Sequence, residues 1–195
     1  MRQNAIAAIL LALTTAGAAS AGGVELDIIG TMDAQLDGEP AERVMLEGEF
    51  QGDAGGSANL TEMEMPHTTL WEITLQGHDP ESDDIMSQGV VIVSAHIGDA
   101  GDPADLSGGT FSGEVSYLQQ NGMRPEILYM AEEGEVTIES LEVDGERGHV
   151  RGSASGHGCR VDMTDIMAGA DEEDCMQIEV EFDSEVVLDT LDIDL

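Results

Sequence analysis

Apolar and polar positions alternate with period two over most of this chain, the pattern of half-buried strands. Val24, Leu26 and Ile28 alternate with Glu25 and Asp27. Val44, Leu46, Gly48 and Phe50 alternate with Met45, Glu47 and Glu49, and Thr69, Trp71, Ile73 and Leu75 with Leu70, Glu72 and Thr74. Gly89 to Ile97 is apolar on both faces and predicts a central strand; Phe111, Gly113, Val115 and Tyr117 form another inward set. Ile127 to Ala131, Val150 to Gly158, Met176 to Phe182 and the run Leu191, Ile193, Leu195 add further strands. Val136 and Ile138 share one parity, Leu141 and Val143 the other. One strand can hold both pairs on the core side only with a β-bulge near Ser140.

Turn chemistry agrees. Asp37-Gly38, Asn121-Gly122 and Asp144-Gly145 reach positive φ cheaply and suit two-residue hairpin loops. Met163, Ile166 and Met167 are the only helical spacing and allow at most one short helix near 163–170. The expected class is all-β: an antiparallel β-sandwich, with a small up-and-down β-barrel as the alternative. Aromatic girdles are lacking, which disfavours an outer-membrane barrel.

The N-terminus reads differently. Arg2 precedes the apolar run Ala5 to Leu13, and small residues ending in Ala19-Ser20-Ala21 fit a signal-peptidase site. The run falls short of the roughly 20 residues a membrane span needs. Residues 1–21 are therefore expected to be a cleavable signal and 22–195 a single acidic β domain, periplasmic or secreted, with no membrane insertion in the mature form.

An exported chain changes the reading of its two cysteines. Cys159 and Cys175 are an even pair in an oxidising compartment and predict a disulfide. If they face each other across an antiparallel ladder, His157 opposes Gln177, Ser155 Glu179, Ser153 Glu181, Arg151 Asp183 and His149 Glu185. The basic residues then meet acids, as cross-strand pairing prefers. Met176, Ile178, Val180 and Phe182 face inward against Val150, Gly152, Ala154, Gly156 and Gly158, large side chains against small ones.

Charge narrows the partners. The 195 residues carry 41 acids against 6 arginines and no lysine, a net charge of −35. Nucleic acid is excluded as a natural partner, because its phosphates would be repelled. Acids spread along the whole chain read as a solvating surface suited to salt-rich surroundings.

Three groups of residues offer candidate chemistry. Met63, Met65 and His67 recur at i, i+2 and i+4, a soft set suited to copper(I), although methionine is also a common core filler. Asp99, Asp102 and Asp105 could offer hard oxygens to calcium, but without EF-hand spacing. His149, Arg151, Ser153, Ser155 and His157 share one strand face, expected to be solvated or partner-facing. A hydrolase is a third class, but no nucleophile elbow supports it. The expected function is a non-enzymatic exported module that binds a small ligand or a protein; the alternative is an exported metal-binding protein using copper or calcium.

Overall fold

The structure is a computed structural model, and it describes residues 19–21, 24–50, 53–65, 68–82, 89–99, 102–120, 125–165 and 169–192. Most of the expected leader lies outside the described residues. Its last three residues form a short strand.

The described residues form eleven strands, in order β1 Ala19–Ala21, β2 Val24–Leu36, β3 Glu39–Phe50, β4 Asp53–Gly56, β5 Ala58–Met65, β6 Thr68–Gly77, β7 Val90–Asp99, β8 Gly109–Gln120, β9 Pro125–Asp144, β10 Arg147–Asp162 and β11 Ala170–Asp192. The all-β expectation holds. Among the described residues the only helix is the 3-10 turn Pro103–Leu106, capped by the Asp102 carboxylate. The short helix allowed near 163–170 is absent from the described part of that stretch. The Asp162 carboxylate instead accepts from the Thr164 amide at 2.8 Å and its hydroxyl at 2.6 Å, which folds the chain into a turn. Those two bonds hold the Asp162 carboxyl below its ordinary pKa.

All strands belong to one sheet, and that sheet closes on itself. β5 through β10 pair successively as antiparallel neighbours, β10 pairs with β11, and β11 pairs with β5. The closed ring realises the barrel form of the expectation. The β11–β5 contact is parallel, a pairing the sequence pattern does not reveal. β11 can serve three neighbours because it is long. One edge carries β10; the other carries β2 at residues 178–184 and then β5 at 187–192. The β2–β3 hairpin thus branches from the ring and returns to it through a bridge between Val44 and His78.

The interior is filled by the expected inward sets. Trp71, Ile73 and Leu75 of β6 meet Val91, Val93, Ala95 and Ile97 of β7, Val115 of β8, and Ile178, Val180 and Phe182 of β11. One expectation fails on β3. Alternation puts Met45 on the polar face, yet it is fully buried in the main core, while Leu46 packs with Leu26 in a separate small cluster. Both faces of β3 are covered, so simple alternation misassigns one of them.

The bulge near Ser140 is present. Arg151 opposes Ser140 and Gly152 opposes Ile138, which leaves Glu139 unpaired. Val136, Ile138 and Leu141 are consequently all buried. At the β2–β3 loop, Asp37 and Gly38 have φ of 52° and 80°, as a type I′ turn requires. The β9–β10 loop is displaced by one residue: Asp144 still pairs with Arg147, so Gly145 and Glu146 make the turn. Asn121-Gly122 lies outside the described residues.

Candidate functional site: an acidic groove on β10 and β11

The ladder between β10 and β11 has the register implied by its cysteines. Cys159 opposes Cys175 and is disulfide-bonded to it. His157 opposes Gln177, Ser155 Glu179, Ser153 Glu181, Arg151 Asp183 and His149 Glu185. Val150, Ala154, Ile178, Val180 and Phe182 are buried on the opposite face. The glycines between them make the fit possible: a Cβ on Gly156 would stand 2.6 Å from Ala131 Cβ, and one on Gly152 would strike the Thr137 carbonyl oxygen.

Neighbouring strands extend these pairs into rows across the outer surface. Thr137, Ser153, Glu181, Asp33 and Glu42 are register partners on β9, β10, β11, β2 and β3. Glu135, Ser155, Glu179, Gln35 and Pro40 make the adjacent row. Together the two rows line a cleft of about 550 Å³. At roughly 4.8 Å between strands, Glu135 and Glu42 lie about 19 Å apart along a flat sheet. Both line the one cleft, so the surface is concave here.

Among the described residues, five carboxylates line this cleft, those of Asp33, Glu42, Glu135, Glu179 and Glu181, and no basic side chain does. All five residues are exposed, and Ser153 and Ser155 are half-buried between them. A second hollow continues the first along the strands, lined by Thr31, Glu139, Arg151 and Asp183 besides Asp33, Ser153 and Glu181. Arg151 marks its end, with Nε 3.4 Å from Glu139.

The expected ion pairs form with different partners. Although His149 opposes Glu185 in the ladder, its Nε2 lies 2.9 Å from Asp183 Oδ1, one row along the face. Glu185 is taken instead by Arg147, which also binds Glu47 of β3. Diagonal reach beats direct opposition because long side chains lean along the strand. Ser153 is four residues from His149, about 13 Å at the rise of a strand, so the two cannot act as nucleophile and base.

Met63 is half-buried in β5, opposite Leu191 and Leu70, on the face away from Leu60. The Met65 side chain and His67 lie outside the described residues, so the copper set is not assembled by what is described. Asp102 uses a carboxylate oxygen to accept from the Ala104 amide at 2.9 Å, and Asp105 is exposed. The Asp99 side chain lies outside the described residues.

Near the other end of β10, Tyr129 donates to Asp174 Oδ1 at 3.3 Å, and Arg160 approaches the same carboxylate at 3.5 Å. Burial, then the negative charge of Asp174, raise the Tyr129 phenol above its ordinary pKa. Sequence reasoning missed the β2 and β3 contributions to the groove. Asp33 and Glu42 are ordinary polar positions until β2 is known to dock on β11. Compared with known protein families, with curated proteins and with solved structures, the chain gives no match.

Proposed function

We propose that this protein is an exported, non-enzymatic binding module whose acidic groove on β10 and β11 receives a cationic ligand, either a small polyamine-like molecule or a basic segment of a partner protein. The observation that carries the reading is the lining: among the described residues, five carboxylates and three hydroxyl side chains, with no base among them, converge on one concave space. Several like charges around a hollow focus the field there and favour a ligand of opposite sign. The rows of serine and threonine between the acids supply acceptors and donors that orient it.

The chain's charge of −35 supports the same sign of partner and argues against nucleic acid. Export as a periplasmic or secreted protein is part of this reading, resting on the leader pattern at 1–21. Among the described residues no helix is long and apolar enough to cross a membrane.

The test is calorimetric titration with a linear tetra-amine at low salt. Binding is expected for the wild type, and the double variant Glu179→Gln/Glu181→Gln is expected to bind about tenfold more weakly, a loss of about 1.4 kcal/mol. The exposed pair Asp144→Asn/Glu146→Gln at the β9–β10 turn, each seven residues along the chain from the lining residues Thr137 and Ser153, serves as control. Equal weakening by both pairs would show a diffuse ion atmosphere and no site.

A further inference from the structure

We infer that the Cys159–Cys175 disulfide is the closed form of a metal site: when a dithiol reductant opens it, the two thiolates and His157 hold one zinc-class divalent cation. His157 and Cys159 are two residues apart on β10 and therefore share a face. Cys175 is presented to them from β11 by the ladder. A ring nitrogen of His157 and the two Sγ atoms all lie within 4.8 Å of one another. Among the described residues this is the only trio of histidine, cysteine, aspartate or glutamate donors so placed.

The distances suit the chemistry. Bond lengths of about 2.3 Å to sulfur and 2.0 Å to nitrogen around a tetrahedral ion put two sulfurs roughly 3.8 Å apart and sulfur and nitrogen roughly 3.5 Å apart. The trio needs only side-chain rotation to reach those separations. The ladder from Arg147–Val187 to Gly158–Met176 pairs without a break, so strand pairing as well as the disulfide brings the two cysteines opposite each other. Cys159 and Cys175 are half-buried and His157 is exposed, so the site opens to solvent and leaves a fourth position for water.

The redox step balances. A dithiol thiolate attacks one Sγ, and the protein S–S bond breaks as a mixed disulfide forms. The second thiol of the reductant then closes its own ring disulfide. Two electrons and two protons pass to the cysteines, and the cation displaces those protons on binding. A disulfide oxidant reverses the step by thiol–disulfide exchange, taking back the two electrons as its own S–S bond is reduced, and the metal leaves because the re-formed protein disulfide offers no thiolate. This site is separate from the acidic groove and stands whether or not the groove binds cations.

The experiment uses the full chain, reduced with a dithiol, desalted without oxygen and titrated with cobalt(II). One equivalent is expected to bring up a thiolate-to-cobalt charge-transfer band with the visible bands of four-coordination, and zinc is expected to bleach both. The oxidised chain is expected to show neither. Carboxylates elsewhere cannot mimic this band, since it reports sulfur. His157→Ala is expected to weaken cobalt binding about tenfold or more. Cys159→Ser alone is expected to abolish the four-coordinate spectrum, with far-ultraviolet circular dichroism confirming the fold. No charge-transfer band in the folded, reduced chain, or unchanged affinity in His157→Ala, would overturn the inference.

Discussion

Replacing Gly152 with alanine sets two physical effects against each other with opposite sign. Intrinsically, alanine is the better strand residue by roughly 0.5–1 kcal/mol, because glycine loses more freedom on folding. Packing argues the reverse. The added Cβ would strike the Thr137 carbonyl oxygen and lie 2.8 Å from Phe182 Cζ and 3.0 Å from its Cε2. A ring can rotate or shift by a few tenths of an ångström, but the carbonyl belongs to β9, which is paired with β10 on both sides of the bulge at Glu139. Relief therefore means spreading β9 from β10 and weakening one or two ladder bonds at about 1 kcal/mol each. Overpacking adds about 1–3 kcal/mol. The net expectation is a loss of about 3 kcal/mol. With a urea m-value of about 2 kcal/mol/M, the unfolding midpoint falls by about 1.5 M. Gly56→Ala is the control, since among the described residues its Cβ meets nothing closer than 3.5 Å. The double variant Gly152→Ala/Phe182→Leu separates the two clashes, because it relieves the ring and leaves the carbonyl. It is expected to recover less than half of the loss. A Gly152→Ala protein within about 0.5 kcal/mol of wild type, or fully rescued by Phe182→Leu, would refute the register and the bulge as described.

Three further outcomes follow from the same structure. Reducing the disulfide, which closes a separation of 16 residues, is expected to cost about 3 kcal/mol in urea unfolding with the fold retained. Arg43 is 8% exposed and donates from Nε to the Gly89 carbonyl at 2.7 Å and from a terminal nitrogen to the Glu42 carbonyl at 2.8 Å. Arg43→Met is expected to cost about 2–3 kcal/mol and to speed hydrogen exchange at the Val44–His78 bridge, whereas unaltered exchange there would detach Arg43 from the seam. Because the Tyr129 phenol is raised in the folded chain, its contribution to stability is complete below the unfolded value near 10 and is lost as pH climbs from there through the folded value. In a Tyr117→Phe background, ultraviolet titration is expected to show a phenol ionising later than free tyrosine, and Asp174→Asn to move it part of the way back.

The β10–β11 ladder is the part of the fold most legible from sequence. The cysteine pair supplies a single alignment constraint, and strict alternation on both strands carries it over the whole ladder. The bulge was legible for a related reason: Val136, Ile138, Leu141 and Val143 cannot share a face otherwise. Two features were hidden. Met45 and Leu46 are adjacent and both buried, which alternation forbids unless both faces of β3 are covered. The parallel docking of β5 on β11 joins segments more than a hundred residues apart, and no local turn signal marks it. The groove inherits this division. Its β10 floor, Ser153 and Ser155, follows from the alternating pattern, while its β2 and β3 wall depends on the long-range pairing of β2 with β11.

The reading of the groove as a cation-binding surface stands most directly on where a cation settles. Amide chemical shifts of the nitrogen-15-labelled chain, followed while a linear tetra-amine is added at low salt, locate it residue by residue. Saturable shifts are expected at Asp33, Ser153, Ser155, Glu179 and Glu181, with little change at Asp144 and Glu146 in the β9–β10 turn. Small, unsaturable shifts spread evenly over the acidic surface would contradict the account.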